Sequence, residues 1–302
     1  MKLNQIQTLI AIAETGSIRA AARRLGLTQP ALSKGLQSLE DELSVPLVHR
    51  TARGVNLTPY GQAIVTRGRG ISHELDRLRE EIEQMRGAQA GNVSLAISPS
   101  PAVLLLPQVL KRFQTEFPAI QVKVRESVFP ETLQLLREGT VDIAIGAQPP
   151  ARKERTSEFI TEKLYDNRLV VTGRAGHPLA HARSLSELLS CDWLLHGPAE
   201  GPGSLYAPAF RANGLMPPKP MVLSESFIST LTLLEHSDAL SLLPERLISH
   251  LARAGRLIML PLREPLPHWD VAMIVRSQTP LTPMAQKLVQ MFRRTLPQSS
   301  SH

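Results

Sequence analysis

Apolar positions along this 302-residue chain follow three successive patterns. Over residues 4–43 they recur at helical spacing. Ile6, Leu9, Ile10 and Ala13 mark the inner face of a first helix, which Gly16-Ser17 ends while offering Ser17 as the N-cap of a second, over about 18–25. The second helix has a small inner face of Ala21, Ala22 and Leu25, so another helix can approach closely, and Gly26 tolerates the left-handed turn that closes it. Thr28 caps a third helix with Pro30 in its first turn, where the missing N–H costs nothing. Leu32, Leu36, Leu39 and Leu43 step by 4, 3 and 4, which confines them to one stripe facing the core. From Thr58 to about Gly87 the spacing becomes 4-3-4-3-4-3 through Ile64, Gly68, Ile71, Leu75, Leu78, Ile82 and Met85, a heptad seam on a rod of about 45 Å. Beyond residue 90, short apolar runs alternate with helical ones: "GNVSLAI", "QVKVRE" and "VDIAIG", then "RLVVTG", "WLLHG", "MVLSES" and "HWDVAMIVR". That order predicts parallel sheets covered on both faces, in two α/β lobes joined by two crossings.

The leucine stripe of the third helix fixes which side faces outward. Gln29, Ser33 and Gln37 are four apart and, with Pro30 and Lys34, form a polar face that packing does not need. A tight turn followed by such a helix is a helix-turn-helix, in which Ser33 and Gln37 would read base edges while Lys34 and the helix N-terminus hold phosphate. The segment "PLVHRTARGVNLTPYG" reads as a β-hairpin wing with Arg50 and Arg53 at its tip, placed to reach a minor groove. Charge supports this. Residues 1–70 hold nine Lys and Arg against four acids, so most of the +7 net charge lies there. The DNA-contacting set is therefore Ser17, Arg19, Thr28, Gln29, Pro30, Ser33, Lys34, Gln37, Arg50 and Arg53. A heptad seam cannot bury itself alone, so the linker predicts pairing with a second copy and an interrupted inverted repeat as the DNA site.

Composition excludes other classes. The chain contains no G-x-G-x-x-G, phosphate loop, H-E-x-x-H or G-x-S-x-G, and its nine histidines lack ligand spacing, so neither an enzyme, a cofactor nor a metal site is expected. The single Cys191 cannot form an internal disulfide and is expected to act as a buried small hydrophobe. No run of eighteen apolar residues exists, and the N-terminal segment lacks the features of an export signal; the expectation is a cytoplasmic protein with no membrane partner. That also weighs against a solute-binding transport protein, whose two-lobed form the C-terminal part would share.

The spaced set Gly16, Ser17, Ala21, Ala22, Leu25, Thr28, Gln29, Pro30, Ala31, Leu32, Ser33, Leu36, Leu39, Glu40, Leu43, Leu47, Arg50, Arg53, Leu57, Thr58 and Gly61 resembles the LysR-type transcriptional regulators. Leu9 and Val48 stand where that family often has Phe, and Gly35 replaces a long polar side chain at some cost in helix propensity. "LLREGTVDIAIG", "GHPL" and "SDALSLLPERLI" resemble its effector-binding domain, while "RGVNLT", "EEIEQMRG", "GPG" and "ESF" look most like a toluenesulfonate-responsive member. The resemblance implies a winged helix-turn-helix at 1–58, a dimerising linker helix at 59–88 and a periplasmic-binding-protein-like effector domain at 91–302. Its lobe I would be about 91–161 plus 268–302, and its lobe II about 162–267. It also implies dimers, commonly tetramers, and RNA polymerase as a partner. Ligands of such folds bind beyond strand ends, where helix N-termini favour an anion. Ser98, Pro99, Ser100, Phe129, Gly146, Ala147, His196, Gly203, Ser226 and Phe227 are the expected contacts of a small organic anion, with Phe129 and Phe227 as walls suited to an aromatic acid.

Overall fold

A computed structural model describes residues 1–51, 54–149 and 158–295. Its packing divides into two units, Met1–Ala88 with Arg137–Thr140, and Gln89–Leu136 with the chain from Val141 onward.

The first unit begins with α1 (Leu3–Thr15), α2 (Ile18–Arg24) and α3 (Gln29–Leu43). Local chemistry sets their ends. Gly16 takes φ 64° at the end of α1, the Ser17 hydroxyl accepts from the Ala20 amide at 3.4 Å, and Thr28 accepts from Ala31 at 3.4 Å. Leu9, Ile12, Ala21, Leu32, Leu36 and Leu39 are almost fully buried in one core. Burying each large side chain contributes roughly 1.5–3 kcal/mol. The wing is β1 (Val48–Thr51) paired antiparallel with β2 (Gly54–Leu57). Two contacts hold it. Glu40 Oε1 accepts from the Leu47 amide at 2.7 Å, and the Val55 amide donates to the Gly16 carbonyl at 2.9 Å. A Cβ on Gly54 would stand 2.6 Å from that carbonyl, and its φ of 138° also favours glycine.

α4 (Pro59–Met85) starts at Thr58, whose buried hydroxyl accepts from the Gly61 amide at 3.0 Å and donates to the Pro46 carbonyl at 2.7 Å. The heptad seam does not run uniformly outward. Ile64 packs on the N-terminal core, and Gly68 sits so close to Ile6 that a Cβ would lie 2.3 Å from its methyl. Outward-facing seam positions begin at Ile71 and continue through Leu78, Ile82 and Met85, all exposed. The first turns of α4 serve their own domain because a glycine there lets two helix backbones approach.

The second unit opens with β3 (Gly91–Ile97), α5 (Pro99–Leu104), α6 (Leu106–Glu116), β4 (Ile120–Glu126), α7 (Glu131–Arg137) and β5 (Ile143–Gln148). β6 (Phe159–Arg174) follows, then β7 (Leu194–His196), α8 (Tyr206–Arg211), β8 (Val222–Ser224), α9 (Phe227–Glu235), β9 (Ser241–Pro244), α10 (Glu245–Leu251), β10 (Leu257–Met259), β11 (His268–Arg276) and α11 (Pro283–Thr295). β3 is parallel to β4 and β5, as the alternation predicts, but β11 and β6 join antiparallel, so the sheet is mixed. Its order is β10-β6-β11-β5-β3-β4, with β9 also on β6.

The first crossing between lobes lies inside one sixteen-residue strand, of which the sequence pattern shows only "RLVVTG", residues 168–173. Residues 159–168 of β6 pair with β11, and 169–174 pair with β9 and β10. Lobe I buries Val93, Leu95, Phe113, Ile143, Val271 and Phe292 in one cluster. In lobe II, Trp193 packs edge-on to Tyr206 and Phe210 with ring centres 5.5 and 5.1 Å apart. Cys191 is half-buried against that cluster, more exposed than expected.

Candidate nucleic-acid interface and effector cleft

α3 presents its polar row as the leucine stripe requires. Thr28, Gln29, Pro30, Lys34 and Gln37 are exposed and Ser33 is half-buried, while Leu32, Leu36 and Leu39 face inward. Ser17 and Arg19 lie at the start of α2, half-buried and exposed. Gln37 is not free of partners: its Nε2 donates to Asp41 Oδ1 at 2.9 Å. Such an exposed i,i+4 contact is worth a few tenths of a kcal/mol and exchanges readily for a base edge. The three acids that follow are engaged away from the row's start. Glu40 holds the wing, and Glu42 meets the N-terminal amine. Arg50 lies in β1 opposite Val55, and Arg53 falls outside the described residues.

In the second unit a cavity of about 50 Å³ lies at the lobe crossing. Lobe I contributes Ser98, Pro99, Ser100, Val128, Ala147 and Trp269, lobe II contributes His196, Pro202, Leu205, Phe227, Leu242, Pro244 and Leu247, and β6 supplies Asn167 and Leu169. A drug-sized ligand fills roughly 300 Å³ or more, so the cavity as it stands is smaller than such a ligand needs. The contact between the lobes is tight. A Cβ on Gly201 would stand 2.1 Å from the Phe129 carbonyl, so only glycine lets the "GPG" loop press onto lobe I.

Of the ten expected contacts, Ser98, Pro99, Ser100, Ala147, His196 and Phe227 line the cavity. Gly146 stands behind Ser98, where a Cβ would sit 3.2 Å from the serine Oγ. Phe129 does not line it; its ring packs edge-on to Trp269 at 5.7 Å, and Trp269 is the wall. Gly203 is buried against the Pro198 and Gly197 carbonyls and shapes the loop from behind. Ser226 is a correction: exposed, its hydroxyl accepts from the Ser229 amide at 3.2 Å, so it is spent as the cap of α9.

The expected anion cradle is also thinner than the helix count suggests. Pro99 and Pro101 remove two N–H groups from the first turn of α5, leaving the Ser100 amide, and no lysine or arginine lines the cavity among the described residues. Ser98 caps no backbone amide, so its hydroxyl is available to a ligand, while Ser100 Oγ lies 3.1 Å from the Tyr165 hydroxyl. Burial pushes that phenol up to about 12, so it stays protonated.

Sequence comparison bears on both sites. The profile of the bacterial regulatory helix-turn-helix protein, lysR family, matches residues 3–62, and that of the LysR substrate binding domain matches residues 86–297. The chain belongs to the LysR family of transcriptional regulators. The HTH-type transcriptional regulator GalR of Pseudomonas putida is 30% identical over 293 residues, covering 97% of this chain and 73% of that protein. TdcA of Escherichia coli is 27% identical, over 93% and 89% of the two chains. Among solved structures, CbnR, a LysR family transcriptional regulator, superposes with a TM-score of 0.72 at 21% identity, over 98% of this chain and all of that one. CbnR complexed with its target DNA superposes at 0.71 and 22%, over 98% and all of the two chains. This LysR-family protein is thus a DNA-binding regulator with an effector-binding domain and not an enzyme.

Several cavity residues of this LysR-family regulator escape sequence reading: Val128, Asn167, Leu169, Leu205, Leu242, Leu247 and Trp269. One signal was available, since Tyr165, Asn167 and Leu169 alternate along β6 on one face. The opposite face gathers Asp166, His268 and Asp270 with ligand atoms within 4.8 Å, but Lys163 Nζ fills the cation position, 2.7 Å from Asp166 and 3.1 Å from Asp270. Among the described residues no helix is long and apolar enough to cross a membrane.

His196 carries a pH signature. Burial lowers its pKa from 6.5 to about 4; its ring packs edge-on to Phe227 at 5.3 Å, and Nδ1 lies 3.2 Å from Thr230 Oγ1. Below pH 6.5 the unfolded chain binds a proton that the folded one refuses until about pH 4. Stability is therefore full above 6.5 and falls with decreasing pH, by at most about 1.4 kcal/mol per unit from this group. Thermal melts of wild type and His196→Gln at pH 7.5, 6.0 and 5.0 should show wild type losing more on acidification. Parallel losses would refute a neutral, buried imidazole.

Proposed function

We propose that this regulator binds an interrupted inverted repeat as a dimer, pairing through the exposed seam of α4, and that dimers associate further into tetramers. Two copies present two α3 helices to successive major grooves. The working parts are a reading head at 1–58, a linker at 59–88 and an effector domain at 91–302, acting on RNA polymerase in the cytoplasm. The effector is a small organic acid held between the lobes. Its apolar body rests on Trp269 and Phe227, and its acid group is held by the Ser98 hydroxyl and Ser100 amide through dipoles alone. An aromatic sulfonate or carboxylate suits those walls; the relatives named above carry other names.

The observation that carries this reading is the polar row of α3, exposed except for the half-buried Ser33, while Leu32, Leu36 and Leu39 are buried. Binding to an operator and to random duplexes tests it. Gln29→Ala and Ser33→Ala should each cost about 1–3 kcal/mol on the operator and little elsewhere. Lys34→Ala should weaken every duplex and reduce the salt dependence. Equal losses on random DNA from all three variants would remove the base-reading assignment.

A further inference from the structure

β6 carries three alternating side chains toward the cavity region, and two have their needs met. Tyr165 shares a hydrogen bond with Ser100, and Leu169 is apolar. Asn167, between them, is 4% exposed, and its Oδ1 is buried with no hydrogen-bond partner. It lines the same cavity as Leu169, Trp269, Leu242 and Leu247, where a leucine would fill the space without leaving a carbonyl unmatched. An isolated polar group in an apolar pocket is how such sites orient ligands. The amide turns on a soft terminal torsion, so its oxygen can turn to meet a ligand in the cleft.

We propose that the effector carries a hydrogen-bond donor, a hydroxyl or an N–H, that lands on Asn167 Oδ1. This rests on the cleft being the effector site. A carboxylate or sulfonate cannot supply that donor to Oδ1, because two acceptors repel, and would meet Asn167 only through Nδ2; with the acid group on Ser98 and Ser100, the oxygen is matched only by a donor elsewhere on the molecule. The class is therefore hydroxy- or amino-substituted acids, and the unsubstituted acid is the weak analogue. Leaving a buried acceptor unmatched costs binding tenfold or more.

Calorimetry on the full chain tests this with matched pairs: benzoate against 3-hydroxybenzoate, 4-hydroxybenzoate and 4-aminobenzoate, and hexanoate against 6-hydroxyhexanoate. In at least one pair the substituted acid should bind about tenfold or more tighter than its parent, and Asn167→Leu should bring the two affinities together. The apo variant should melt no lower than wild type. Equal binding within every pair, or a gap that survives Asn167→Leu, overturns the proposal and leaves the effector site standing. A clear drop in the melting temperature of apo Asn167→Leu makes Asn167 a structural residue and also overturns it. No binding by any probe removes the small-acid reading itself, and the proposal with it.

Discussion

Leu78→Lys combined with Ile82→Lys is expected to convert the protein to a monomer. It should also weaken binding to a two-half-site operator by about 10²- to 10⁴-fold, with single half-site affinity unchanged. The two side chains are 51% and 49% exposed, one turn apart on a 27-residue helix, with Ile71 and Met85 continuing the same line. Such an apolar line on a charged helix has no stabilising role in an isolated chain, and covering it with a second copy removes it from water. Separating the two heads removes the effective concentration that tethering would give the second half-site. Sedimentation velocity and fluorescence anisotropy give both numbers. A double variant that stays dimeric would move the interface elsewhere.

Gly61→Ala should destabilise the first unit by about 3 kcal/mol and abolish operator binding near its melting point while the second unit melts as before. The added Cβ would stand 2.1 Å from the Leu47 carbonyl and 3.3 Å from the Leu57 side chain. Backbone cannot swing aside as a flexible side chain does. The Leu47 amide is tied to Glu40, and the Leu47 carbonyl accepts from the Thr58 amide at 3.0 Å. Relief would loosen the wing and the Thr58 cap together. Two-transition calorimetry checks it, and an unshifted first transition would mean the junction is not rigid.

The helix-turn-helix was legible because its determinants are local: the 4-3-4 leucine stripe, the caps at Ser17 and Thr28, and the glycines at 16 and 26. What was not legible arose at long range. Only "RLVVTG" of β6 was legible as a strand because the register shifts beside Leu164, leaving adjacent Leu164 and Tyr165 both buried and breaking the period-two pattern before it. Asn167 reaches the cavity beside its cross-strand partner Trp269, about a hundred residues away, a pairing no local pattern announces. Ser226 fitted a binding loop equally well as a helix cap, and the cap won because its hydroxyl had an amide three residues ahead. In α4 the seam is real in sequence, yet Gly68 is there for Ile6.

Methylation interference at guanine N7 on a bound operator is the most direct test, because N7 lies only in the major groove. Two clusters of interference on one face of the duplex, a whole number of turns apart, are expected, weakened at single positions by Ser33→Ala. Interference that ignores N7 throughout, with unaltered binding, would mean that the exposed row of α3 does not enter the major groove.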